Sequence, residues 1–298
     1  MGPIDRNYQT VNVYLLGEHE IVAGRLRVHA GLTFYADSLF GSRFTPKLGL
    51  VWTPGAGTVA KLVYAEGFRP PTPGEAFFED GTSFIANAGL RPEVVRSLDA
   101  SVEHRFGGVA SVQAGLFVND YRDLISYTVV PAPGLDHVPD PAVDSDWRQQ
   151  ATNTGEDTLI GAQVGLNARF GPRLRAYGGL SLQRSEHRRE NSPALTGNVA
   201  LATSPVAPLT LAVHASFVGP RDGDLDDHAL VTRVGPSVQL GAAVTLELPA
   251  PAGSSLQLSG TNLLGRRDPS PLPADYLPVT SLPEPPRTFR MVLRWVFE

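Results

Sequence analysis

Arg69 and Glu75 are the first residues in this sequence whose types and spacing suggest chemistry: a guanidinium and a carboxylate where an alternating segment gives way to Pro70-Pro-Thr-Pro73. Such a pair can order its own loop by ion pairing, or offer donors and acceptors to a ligand. Asn87 in the same segment, and Trp147 after the polar stretch Val130–Asp146, complete the candidate substrate-binding set. The most metal-like stretch is Asp222-Gly-Asp-Leu-Asp-Asp-His228. It lacks the sixth-position Gly and twelfth-position Glu of a calcium loop, Asp227 and Arg233 standing there instead, so a solvated acidic loop is expected rather than a metal site. With no cysteine, thiolate metal sites and Cys nucleophiles are excluded. A hydrolase would need Ser or Asp nucleophiles beside a His. His104 and His214 fall on opposite faces of alternating segments, and His137 and His228 lie among aspartates, so no triad is recognisable. No G-x-S-x-G, H-E-x-x-H or phosphate loop occurs. Neither an enzyme nor a cofactor is expected.

The elements that must position these residues are legible from hydrophobic periodicity. Two-residue alternation recurs along nearly the whole chain. Leu26, Val28, Ala30, Leu32 and Phe34 alternate with Arg27, His29, Gly31 and Thr33. Ile160, Ala162, Val164, Leu166, Ala168 and Phe170 stand opposite Gln163, Asn167 and Arg169, and the series closes with Phe289, Met291, Leu293, Trp295 and Phe297. Successive strand side chains point to opposite faces, so each segment has one apolar and one polar face. The runs last roughly 9–13 residues, against about 5–6 for a globular strand and about 9–11 for one that crosses a bilayer.

The connections alternate too. Thr53–Thr58, Phe106–Val109, Phe170–Arg173, Ser204–Pro208 and Pro249–Ser254 are short and rich in Gly or Pro. Longer polar segments lie between them: Gly67–Pro92, Val130–Asp146, Arg188–Ala194, Gly219–Thr232 and Gly265–Pro285. Outer-membrane barrels show this asymmetry. Trp52, Phe106, Phe170 and Phe297 fall on the short-turn side, and Phe68, Tyr127, Trp147 and Phe217 on the loop side, as interfacial girdles would. The expected fold class is all-β, an antiparallel transmembrane β-barrel, here a partial barrel of about thirteen strands filling residues 1–298. A soluble β-rich binding protein and a passive outer-membrane pore are the alternatives.

Composition bounds the partners. Net charge is −5 with 18% charged residues, leaving no basic footprint for nucleic acid. Apolar runs such as Val13–Leu16 are short, so no transmembrane helix is expected, and a mean hydropathy of −0.07 is compatible with a barrel that hides its apolar face in alternation. The opening MGPIDRNYQTVNVYLLGEHE has no basic or apolar region of a signal peptide. The final strand ends on the short-turn side. An odd strand count then puts the first strand's start on the other side, which leads to the expectation that earlier strands are missing.

At the first long loop the sequence resembles a TonB-dependent receptor. The matching residues are Tyr64-Ala-Glu-Gly-Phe-Arg-Pro-Pro71, then Glu75, then Asn87-Ala-Gly-Leu-Arg-Pro-Glu93. Asn153-Thr-Gly155 with Gly161, then Asn262-Leu-Leu264 with Pro286-Arg287 and the closing aromatic strand, continue the similarity in family order. The resemblance implies a receptor in the cell outer membrane, in contact with its lipid. It implies binding of a small-molecule nutrient such as a ferric siderophore or cobalamin, and energising by the TonB complex only if a plug is present. Family barrels have about 22 strands around a plugged lumen. Plug and TonB box are not recognisable here, and Glu298 follows Phe297 where the family often ends on an aromatic. Haem receptors of the family carry a His between the two loop motifs; Arg69 to Glu93 contains none.

Overall fold

The computed structural model describes residues 9–135, 137–187, 192–222, 233–249, 251–267, 269–271, 281–283 and 285–297. Thirteen strands follow one another: β1 Thr10–Val22, β2 Leu26–Asp37, β3 Gly41–Gly55, β4 Thr58–Arg69, β5 Glu93–Phe106, β6 Ala110–Pro131, β7 Trp147–Phe170, β8 Leu174–Ser185, β9 Leu195–Val206, β10 Leu209–Val218, β11 Ser237–Glu247, β12 Ser255–Thr261 and β13 Thr288–Arg294. Each is hydrogen-bonded to its sequence neighbours, giving an up-and-down meander with β1 and β13 at the two ends of the order. A two-residue segment, Phe84–Ile85, adds a parallel pairing to Gln149–Gln150 of β7. Among the described residues no helix is long and apolar enough to cross a membrane. By contact the chain forms two compact units. One comprises Met1–Trp52, Lys61–Asp99 and Val118–Thr158; the other comprises Thr53–Ala60, Ala100–Phe117 and Leu159–Glu298.

The strand faces follow the alternation. In the second unit an apolar row crosses seven strands in register: Ala168, Ala176, Leu201, Val213, Ala242, Gly260 and Phe289. The polar face has rows such as Gln163, Ser181 and Thr196. Large apolar side chains stand open rather than packed inside: Leu182 is 50% exposed, Met291 70% and Phe289 74%. A water-soluble protein of this size would bury such a surface, whereas a barrel wall turns it to lipid. Trp52, Phe106 and Phe170, near the short turns, are likewise exposed. The turns close where glycine permits a positive φ. At Gly57 φ is +84°, and a Cβ there would lie 2.8 Å from the Arg105 carbonyl oxygen.

Two features exceed the periodic reading. β6 has 22 residues and β7 has 24, well beyond the roughly 9–13 expected. Their extra length, Asn119–Pro131 and Trp147–Thr158, has polar residues on both faces, so alternation does not report it although the backbone ladder continues. The other feature is a one-turn helix, α1 Pro73–Phe77, inside the first long loop. It is too short for helical periodicity, but its capping box Thr72-x-x-Glu75 stands in the sequence. The buried apolar cluster of the first unit sits here: Ala76, Leu90 and Ala151, with Phe40, Phe77 and Ile125 packed against them.

Candidate functional site

The candidate residues gather around α1. Arg69, the last residue of β4, grips Glu75 with two hydrogen bonds of 3.0 Å and donates a third of 2.7 Å to Glu93 at the start of β5. Glu75 Oε2 also accepts the Thr72 N–H at 2.7 Å, closing the capping box, while the Thr72 hydroxyl accepts the Glu75 N–H. Glu93 passes the connection onward, its Oε1 accepting the Ile125 N–H from β6 at 2.8 Å. One guanidinium thus fastens a strand end, the helix cap and the next strand's start. Burial alone would push the Glu75 carboxyl up, but hydrogen bonds from Arg69 and Thr72 and the guanidinium charge outweigh it and hold its pKa below the usual carboxylate value.

Beyond α1 the loop is tied down by side chains bonding to backbone. Asp80 Oδ1 accepts the N–H groups of Thr82, Ser83 and Phe84, which lowers its pKa to about 2. Asn87 donates to the Ala151 carbonyl at 2.9 Å and accepts the Gly89 N–H. Asn153 on β7 accepts the Arg91 N–H and donates to the carbonyls of Arg91 and Asp123. Asp123 has φ +55°, a conformation non-glycine residues rarely hold, and its carbonyl is one of those Asn153 secures. The loop carries a partly open aromatic shelf: Phe84 packs edge-on against Phe78 and Tyr127 at 5.6 and 5.8 Å, and Phe78 and Tyr127 are 42% and 54% exposed. Trp147, the first residue of β7, is half-buried, with its indole N–H donating to the Asp140 carbonyl of the second long loop at 2.9 Å. Neighbouring Asp146 is buried, accepts from His137 and the Asp140 N–H, and has a lowered pKa through these bonds.

The structure therefore brings Arg69 and Glu75 into direct contact and places Asn87 in the same loop. Trp147, at the start of β7, is fixed to the loop before it. His104 contacts the Thr58 hydroxyl at 2.8 Å and packs against Phe106, and the His214 ring lies over Gly241. Asp222 pairs in a two-residue ladder with Arg233, and the acidic stretch beyond it to His228 lies outside the described residues. Among the described residues no group of three or more His, Asp or Glu is placed to hold a metal.

A family model described as TonB dependent receptor-like, beta-barrel, matches residues 2–263. The chain belongs to this family. Solved TonB-dependent receptors share its fold: a variant of the ferric enterobactin receptor PfeA of Pseudomonas aeruginosa (TM-score 0.74, 17% identity, covering 95% of this chain and 44% of that one). The siderophore receptor PirA of Acinetobacter baumannii gives 0.75 and 15%, covering 95% and 45%. The ferric-catecholate import receptor Fiu of E. coli gives 0.71 and 14%, covering 95% and 44%. The chain thus spans under half the length of these receptors. No curated protein matches the sequence.

As a TonB-dependent receptor barrel, the chain uses its motif residues as fasteners. A Cβ at Gly155 would lie 2.7 Å from Leu124 Cβ, and one at Gly161 only 2.2 Å from the Phe117 ring, so both glycines make room for a neighbouring side chain. Asn262 donates to the carbonyls of Arg266 and Pro285, drawing the Asn262-Leu-Leu264 segment onto Pro286-Arg287. Sequence reasoning quoted Glu93 and Asn153 without a role, and missed Asp80 and the aromatic shelf. The capping box was the available signal for Glu75; nothing local marks Asn153, whose partner Arg91 is 62 residues away.

Proposed function

We propose that this chain forms part of the wall and outer loops of an outer-membrane receptor that takes up an iron-loaded siderophore. The supporting observation is the loop held by Arg69, Glu75, Asn87 and Asn153, which presents Phe78, Phe84 and Tyr127 as an ordered, partly open aromatic shelf. Ordering the loop in advance removes part of the entropy cost of binding. Aromatic edges and faces suit a ligand of flat rings, as in the catecholates and enterobactin named for the similar receptors. In this reading Arg69, Glu75 and Asn87 shape the surface, and Trp147 meets the ligand from the start of β7, beside the second loop. The other partners are outer-membrane lipid along the apolar face and, where a plug accompanies the wall, the TonB complex.

The test is fluorescence titration of the full chain, folded in detergent, with a ferric catecholate siderophore. Saturable quenching that Trp147→Phe diminishes, and that a Phe78→Ala/Tyr127→Ala pair weakens about tenfold or more, supports the assignment. Absence of saturable quenching overturns it.

A further inference from the structure

One cross-strand row on the polar face of the second unit has an unusual composition. It reads Arg169, Arg175, Ala202, Ala212, Ala243, Ser259, Arg290, in register across β7 to β13. Arg169 and Arg175 stand directly opposite each other. Like charges in that relation are destabilising, since the two Cβ atoms of such a pair lie only about 5 Å apart. Among the described residues neither guanidinium has an ion-pair or hydrogen-bond partner. The next two strands offer only methyl groups in this row, Ala202 and Ala212.

The two arginines line a recess of about 580 Å³ together with Ala202, Ala212, Arg105 and His214. Arg105 is bonded to Glu103 at 2.9 Å, so the uncompensated charge rests with the facing pair. Along the row the small Ala202 and Ala212 side chains follow the pair, which brings two planar donor forks to the lining. A planar fork matches the two oxygens of a carboxylate or phosphate, and an anion between the forks replaces repulsion by charge-assisted hydrogen bonds. The volume lies within the range of small-molecule sites.

We propose that this recess is a binding site for a soluble polyvalent oxyanion, a low-molecular-weight phosphate or polycarboxylate, held between Arg169 and Arg175. The proposal goes beyond the siderophore reading and does not depend on it. The residues lie near the short turn Phe170–Arg173, remote in sequence from the aromatic shelf. An acyl chain has no place on this face, because the apolar row of the same strands points the other way; this favours a soluble anion over a lipid headgroup.

The experiment is isothermal titration of the full chain in neutral detergent with inorganic phosphate and with citrate, at ionic strength held constant with chloride. The expected result is saturable binding of at least one anion, weakened tenfold or more in Arg169→Gln/Arg175→Gln and unchanged in Arg290→Gln, which lies outside the recess. A second measurement guards against misfolding. Without added oxyanion the double variant melts no lower than the unsubstituted chain, because its removal of like charge relieves repulsion. Oxyanion then raises the melting temperature of the unsubstituted chain alone. Lack of saturable binding, equal affinity in the double variant, an equal effect of chloride, or saturation by phosphatidylglycerol-doped micelles in place of the soluble anions would each overturn the assignment.

Discussion

Asn153 and Arg91 exchange two hydrogen bonds of 2.8 Å, the Asn side chain accepting the Arg91 N–H and donating to the Arg91 carbonyl. The amide copies what a neighbouring strand would offer that backbone, and its second donation, to the Asp123 carbonyl at 2.7 Å, brings in β6. Asn153→Ala strands three backbone groups at once. At about 1 kcal/mol for each half-exposed bond, less what water recovers, the loop loses about 2 kcal/mol of local stability. Hydrogen exchange at the Arg91 amide should then accelerate by roughly 30-fold. An unchanged rate would show that the amide contributes no more than water does.

Arg69 serves two carboxylates, so its removal should do more than delete two ion pairs. In Arg69→Ala, Glu75 and Glu93 face each other without a counter-charge, and the anchor of α1 is lost. With the Arg69 side chain 44% exposed, the expected cost is only about 1–2 kcal/mol, confined to the loop. Arg69→Lys keeps the charge but not the two-pronged bond to Glu75, and should recover less than half of the loss. Limited proteolysis between Thr72 and Pro92 reports it, with cleavage fastest in the Ala variant and intermediate in Lys.

Asp80 gives the same loop a pH response. Its folded pKa of about 2 lies below its ordinary value of 3.8, so its stabilising contribution is complete above pH 4 and disappears as pH falls through about 2. The amides of Thr82, Ser83 and Phe84 should therefore stay protected at pH 4 and lose protection between pH 4 and 2. Asp80→Ala should abolish that response and leave them exchanging fast at every pH. Exchange measured by NMR along a pH series checks both.

Two glycines four residues apart on β7 offer a matched comparison. A Cβ at Gly161 would lie 2.2 Å from Phe117 and 2.7 Å from the Leu182 carbonyl oxygen, while the nearest atom to a Cβ at Gly165 is 4.0 Å away. Gly161→Ala should therefore lower the yield of folded protein and its melting temperature, at a cost of about 1–3 kcal/mol, and Gly165→Ala should be neutral within about 0.5 kcal/mol. Comparable folding of the two variants would show that Phe117 and its strand move aside easily.

Adjacent residues on β8 test which face meets lipid. Leu180 belongs to the apolar face and Ser181 to the polar one, where it pairs with Gln163 and Thr196. Leu180→Arg should cost about 2–4 kcal/mol if it lies near the bilayer midplane, and Ser181→Arg close to nothing. Refolding into vesicles of a neutral lipid measures the difference; equal costs would contradict a lipid-facing Leu180.

Local information carried far in this chain. Alternation of side-chain type exposes strand direction and facing, because successive strand residues always point opposite ways whatever the partner strand. The thirteen strands, their two faces and the short and long connections were therefore legible, from Leu26–Phe34 through Phe289–Phe297. The polar extensions of β6 and β7 were not, since a segment wet on both faces has no period to detect. α1 is a single turn and left only its capping box, Thr72 and Glu75, as a sign.

What the tertiary structure alone decided is which side chains meet. The Arg69–Glu75 contact spans six residues and is available from chain proximity. Those of Asn87 with Ala151, Asn153 with Arg91, and Phe117 with Gly161 depend on strand register, where a one-residue slip would turn every side chain to the other face. The same register sets Arg169 against Arg175. Composition and order determined a membrane-type β wall; the alignment of its strands determined where that wall ties its loop and gathers its charge.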